Sequence, residues 1–167
     1  MDDHNIIDRS FHRPRTEAEE SEFQLLKLDA ANAVFHIRNA RITLFVLAAI
    51  WGIIAAATLF TGGEAKNEIE SAFNNAISFT AIFLSVVFGI SAWLARKKPV
   101  VCLTVGLVLF ALLFVVNTLQ SFSILGFLLG AVVVYLLLQG FMHALKIKTI
   151  IQAANTMGAT EAEIFEV

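Results

Sequence analysis

The sequence predicts an all-α membrane protein: a four-helix transmembrane bundle with an N-terminal amphipathic helix and a helical C-terminal extension. Three observations carry that prediction. Hydrophobic residues make up 57% of the 167 positions and charged residues only 16%, whereas a soluble domain keeps nearer a quarter of its residues charged. All 12 Lys and Arg and all 14 Asp and Glu fall within 1–41, 61–75, 95–99 and 139–167. The stretches 42–60, 76–94, 100–116 and 122–138 hold no ionisable acid or base. A run of ~20 apolar residues, rising ~1.5 Å per residue, crosses a ~30 Å hydrocarbon layer as a helix. A soluble fold would have nothing left to cover four such helices. A membrane barrel would need alternating polarity, which these runs lack.

Residues 1–15 are polar and of mixed charge, with Pro14, and are expected to be disordered or ordered only on a partner. Thr16 and Glu19 have the spacing of a capping box, in which hydroxyl and carboxylate each satisfy a free amide of the first turn. Phe23, Leu26, Ala30, Val34 and Ile37 then recur at helical spacing, with Glu22, Lys27 and Asp29 off that line. This stripe predicts an amphipathic helix resting on the membrane surface, with packing on another chain as the alternative. The first apolar run begins only after the first 41 residues, which are hydrophilic; that is too late for an ordinary signal peptide, and the run reads as a retained span.

Gly62-Gly63 should break the first helix. Arg96-Lys97-Lys98-Pro99 is a compact reversal, and Pro99 suits a first helical turn, where its missing amide hydrogen is not needed. The 117–121 turn is shorter still, so the third and fourth helices should be antiparallel neighbours. After 138 the helix is expected to run on to Ala154, with Gly158 as its stop. Thr160 and Glu163 could cap a last short turn. The expected organisation is a cytoplasmic segment 1–41, a transmembrane domain 42–145 and a cytoplasmic tail 146–167.

Orientation follows from Lys and Arg near the span ends. Lys27, Arg38, Arg41, Arg96, Lys97, Lys98, Lys146 and Lys148 share one side, and the other has only Lys66. Both termini should therefore be cytoplasmic. These charges could also meet lipid headgroups, at ~1 kcal/mol each. Inside lipid, close packing of small residues helps drive helix association. Four-residue ridges of this kind are Ala48, Gly52 and Ala56; Ala81, Ser85 and Gly89; and Gly126 with Gly130. The third span offers Cys102 and Gly106. Packing within one bundle is the simpler reading, and a homo-oligomer interface the alternative. Trp51 is expected to pack and Trp93 to join the interfacial aromatic belt.

The chemistry on offer is sparse. No Asp, Glu, Lys or Arg lies within the spans, which argues against a proton-driven pump. The span hydroxyls have no deep His or Lys to act as a base, so a serine nucleophile is not expected. Cys102 has no ligand partner nearby and reads as packing. The net charge of −2 gives no reason to expect nucleic acid. No catalytic residue, cofactor or metal is expected.

"SAWLARKKPV", "LVLFALLFVVN" and "LLLQGFMHALK", within 76–148, resemble a group of small four-span bacterial membrane proteins of uncharacterised function with a W-x-x-[KR]-K-K-P turn. The resemblance implies a bacterial inner-membrane protein and supplies no active site. The leading expectation is a non-enzymatic structural or regulatory bundle in contact with lipid and a protein partner. A small oligomeric channel or facilitator is the alternative. A haem- or metal-binding redox subunit using His36 and His143 is the weaker one.

Overall fold

The computed structural model describes residues 16–61, 68–120 and 123–165. They form α1 (Glu17–Thr61), α2 (Glu68–Leu94), α3 (Pro99–Gln120), α4 (Ile124–Thr156) and α5 (Glu161–Phe165). Residues 1–15, the Gly62-Gly63 break and the tip of the α3–α4 turn lie outside the described residues. Four of the helices are long and apolar enough to cross a membrane. Phe60, Phe79, Leu112 and Leu119 are among many large apolar side chains left exposed. So much apolar surface suits lipid, not water, as the surrounding solvent.

α1 starts on the capping box. The Thr16 amide donates to Glu19 Oε2 at 2.8 Å, and the Glu19 amide donates to Thr16 Oγ1 at 3.3 Å. Glu17, Glu19 and Glu20 fill its first turn, where carboxylates favourably meet the helix dipole. The helix then runs unbroken for 45 residues, about 67 Å at ~1.5 Å per residue. That continuity has a geometric consequence. A straight helix whose second half crosses the membrane cannot lay its first half flat on the surface.

α3 begins at Pro99 and continues through Asn117 to Gln120, so the reversal is tighter than the 117–121 turn expected from sequence. The helix carries Asn117 and Thr118 as polar positions in its last turn. Ser123 caps α4, accepting from the Gly126 amide at 3.4 Å. α4 ends in a Schellman motif. The Gly158 amide donates to the Asn155 carbonyl, and the Ala159 amide donates to the Ala154 carbonyl. Gly158 takes φ +71°, a conformation that glycine adopts without a Cβ penalty. Thr160 and Glu163 then form a second capping box, at 3.1 and 3.4 Å, that opens α5.

The helices run up and down. α1 packs on α2 and α4, α3 packs on α4 and α2, and α1 touches α3 across the diagonal. The core holds Leu44, Phe88, Leu103 and Leu137, all fully buried, with Ala40, Ala92 and Ala144 between them. Trp51 packs against this core and Trp93 is exposed. A second cluster lies apart from it. Phe23, Ala30 and Ala33 of α1 meet Ile150 and Ala154 of α4, closed by Ala159 and Ile164.

Antiparallel contacts set the register between α1 and α2: Ser78 meets Thr58, and Ser85 meets Ala48. Carried on at that register, Leu94 comes level with residues near Arg41. About 24 residues of α1 therefore extend past the α2–α3 turn, roughly 36 Å of helix. The far part of α4 runs beside them. This α1–α4 stalk is the second cluster's home, and it corrects the expectation for the N-terminal stripe. Phe23 and Ala30 are buried against this chain's own α4 and C-terminal residues, and Leu26 packs at their edge.

Candidate functional site

The small residues expected to pack fall into distinct situations. Ser85 Oγ donates to the Ala48 carbonyl at 2.8 Å, tying α2 to α1. A Cβ on Gly52 would stand 3.3 Å from that hydroxyl, while one on Gly89 would make an ordinary 3.9 Å contact with Ala48. Ala81 is fully buried. Gly130 lies under the Phe114 ring, which a Cβ would overlap. Ala56 and Gly126, by contrast, are exposed. The reason at Ala56 is angular: each four-residue step turns ~40° beyond a full helical turn, so the ridge drifts off the interface. Ala55, three residues past Gly52, is buried in its place. At Gly126 the helix is still in its first turn, and its neighbour is its own cap, Ser123.

A further tight crossing lies outside the expected ridges. A Cβ on Gly140 would overlap the Ala40 methyl and lie 3.2 Å from the His36 carbonyl oxygen. Gly106 similarly accommodates Leu44. Gly106 has buried Cys102 four residues before it and Gly140 has buried Ala144 four residues after it; the Gly140–Ala144 pair lies just past the 122–138 run, beyond the ridges expected within the spans.

Just outward of the Gly140 crossing, His36 and His143 meet. Their rings stack with centroids 4.3 Å apart and planes 25° from parallel. Phe35 touches the His36 ring edge-on. His143 Nδ1 lies 2.9 Å from the Gln139 carbonyl oxygen; an oxygen acceptor there requires the proton on Nδ1, leaving Nε2 with its lone pair. Burial, and then the neighbouring His143, lower the His36 pKa below the ordinary imidazole range. Axial ligation of haem would set two imidazoles on opposite faces of the iron, and rings stacked against each other are not so arranged.

Beyond the pair opens a groove of about 420 Å³ between α1 and α4. Asp29 and Asn32 stand on the α1 side, Lys146 and Thr149 on the α4 side, Ala33 and Ile150 are buried beneath, and His143 is also in the lining. The remaining basic residues are peripheral to it. Arg38, Arg96, Lys97, Lys98 and Lys148 are exposed, and Arg41 lies over the Phe45 ring at 5.5 Å.

Hydroxyls in the spans are largely engaged on their own helices. Thr43, Thr80, Thr104 and Thr118 donate to carbonyls four residues earlier, the usual role of such residues in apolar helices. Ser78, like Ser85, also reaches across, its hydroxyl lying 2.8 Å from Thr58 Oγ1 on α1 and 2.8 Å from the Asn74 carbonyl oxygen of its own helix. Cys102 is buried. Among the described residues no three His, Cys, Asp or Glu side chains cluster as metal ligands. Comparison with protein families, with curated proteins and with solved structures finds no match to this chain.

Proposed function

We propose that this protein is a non-enzymatic structural or regulatory membrane bundle that engages a protein partner through the α1–α4 stalk. The stalk is the single feature that supports the reading. It is held by its own apolar cluster, and it still leaves Leu25, Leu28 and Phe35 exposed at 67%, 71% and 56% along one flank of α1. In the proposed arrangement both termini are cytoplasmic, on the strength of the eight-to-one Lys/Arg asymmetry, and the membrane is a bacterial inner membrane, as the resemblance implies. The flank would then face the cytoplasm, where exposed apolar patches mark interaction surfaces. Photo-crosslinkers placed at Leu28 and, as a control, at Glu20 test this in native membranes. The reading expects a discrete protein adduct from Leu28 and none from Glu20; adducts to lipid alone would contradict it.

The alternative is an oligomeric channel or facilitator lined by span hydroxyls. The local hydrogen bonds of Thr43, Thr80, Thr104 and Thr118 weigh against it, because those groups are already used. Solute or ion flux into proteoliposomes above that of empty vesicles would favour the channel.

A further inference from the structure

We propose that His36 and His143 form a two-imidazole site for a divalent transition-metal ion of the Cu²⁺, Ni²⁺ or Zn²⁺ type, at the membrane-proximal end of the α1–α4 groove. This goes beyond the stalk's proposed partner and stands or falls separately from it. Imidazole is a ligand suited to these ions. Two nitrogens each ~2.0–2.1 Å from one ion, and at right angles, lie about 3 Å apart. Rings that already stack with centroids 4.3 Å apart are close enough to converge on such an ion through rotation about their side-chain bonds.

A second observation concerns His143 by itself. Ligating histidines characteristically donate the other ring N–H to a carbonyl or carboxylate, which fixes the tautomer and orients the ligand. The 2.9 Å contact from Nδ1 to the Gln139 carbonyl oxygen supplies that support and leaves Nε2 free to ligate. Each histidine is also held by a continuous helix, and the two helices cross tightly beside them at Gly140 and Ala40. The pair is thus pre-positioned by the fold.

The groove gives the remaining coordination positions room for water. Lys146 shares that groove, and its charge opposes a bound cation, so the site is expected to be a modest one. Asp29 stands on the opposite wall and offsets part of that repulsion. Bound metal would bridge α1 and α4 at the base of the stalk. Metal that binds only the folded state stabilises it by mass action.

The test uses the full chain, purified in detergent without a histidine tag and carrying His4→Gln and His12→Gln, so that the N-terminal imidazoles do not contribute. Cu²⁺ titration with electron paramagnetic resonance is expected to show one ion per chain coupled to two imidazole nitrogens. Calorimetry should rank Cu²⁺ above Ni²⁺ and Zn²⁺. Loss of an outer-shell partner alone costs ~10–100-fold in affinity, so His36→Gln or His143→Gln should each weaken binding at least about tenfold. Binding that both substitutions leave unchanged, coupling to a single nitrogen, or no stoichiometric binding would overturn the proposal. The nitrogen coupling is read on protein with both site histidines intact, so it holds even if a variant misfolds.

Discussion

The bundle and the stalk solve the same problem with different materials. Between the spans, helices approach on small residues: Gly140 admits Ala40, Gly106 admits Leu44, and Gly52 leaves space at the Ser85 hydroxyl. In the stalk no glycine enters the contact, and Phe23, Ile150 and Ile164 close over Ala30, Ala33, Ala154 and Ala159. The difference is what the proposed arrangement, with the bundle in lipid and the stalk in water, would produce. In lipid, burying a leucine against another helix gains little over leaving it in acyl chains, so association relies on close backbone approach and a few hydrogen bonds. In water, burial of apolar area itself drives the packing at roughly 25 cal/mol per Å², with no need of a glycine at the crossing.

Substitutions should therefore divide along that boundary. The farthest-reaching effect is expected from Gly140→Leu, because the added side chain must displace Ala40 and the His36 backbone at the crossing that joins both regions. Overpacking of this kind costs ~1–3 kcal/mol or more. Chemical denaturation in mixed micelles should show loss of the bundle and stalk together. Phe23→Ala comes next and should act on the stalk alone. Truncating a buried Phe costs ~3–5 kcal/mol, and hydrogen exchange should accelerate in residues 17–33 and 147–165 while the spans stay protected.

Smaller effects refine the contrast. Ser85→Ala removes the hydroxyl bonded to the Ala48 carbonyl. Interhelical bonds in membranes average about 0.6 kcal/mol, so the loss should be of that size. In metal-free buffer, the stalk should weaken on acidification. The folded-state pKa of His36 is lowered, so the folded form binds its proton less readily than the unfolded chain does. Its contribution is complete above the ordinary imidazole range and is lost as pH falls through that range and below it. His36→Gln should flatten the dependence in a pH series of thermal unfolding. At the bottom of the scale, Gly89→Ala meets Ala48 at an ordinary 3.9 Å and should change stability by less than about 0.5 kcal/mol.

Much of the fold was legible because it depended on local signals. Four uncharged runs gave four long apolar helices, and the Thr16–Glu19 and Thr160–Glu163 boxes formed with the partners their spacing implied. Gly158 stopped α4 as a glycine with positive φ should. What stayed hidden depends on two helices at once. Nothing local to Gly140 says that Ala40 faces it, and a single-helix ridge placed Ala56 inward where the helical drift turns it out. The same holds for Phe23 and Leu26. A stripe identifies a buried face without naming what buries it, and here the cover is α4 and the residues after it, over 100 positions along the chain. His36 and His143 were visible as interfacial residues, but their stacking required the register of α1 on α4.

The account rests on the claim that these two regions lie in different solvents. Spin labels at Leu28 and Leu112, in a Cys102→Ser background reconstituted into lipid, address that directly. The account predicts that the Leu112 label is relaxed by lipid-soluble oxygen and shielded from aqueous chromium oxalate, with the reverse at Leu28. A water-accessible Leu112 label, or a Leu28 label relaxed mainly by oxygen, would contradict it.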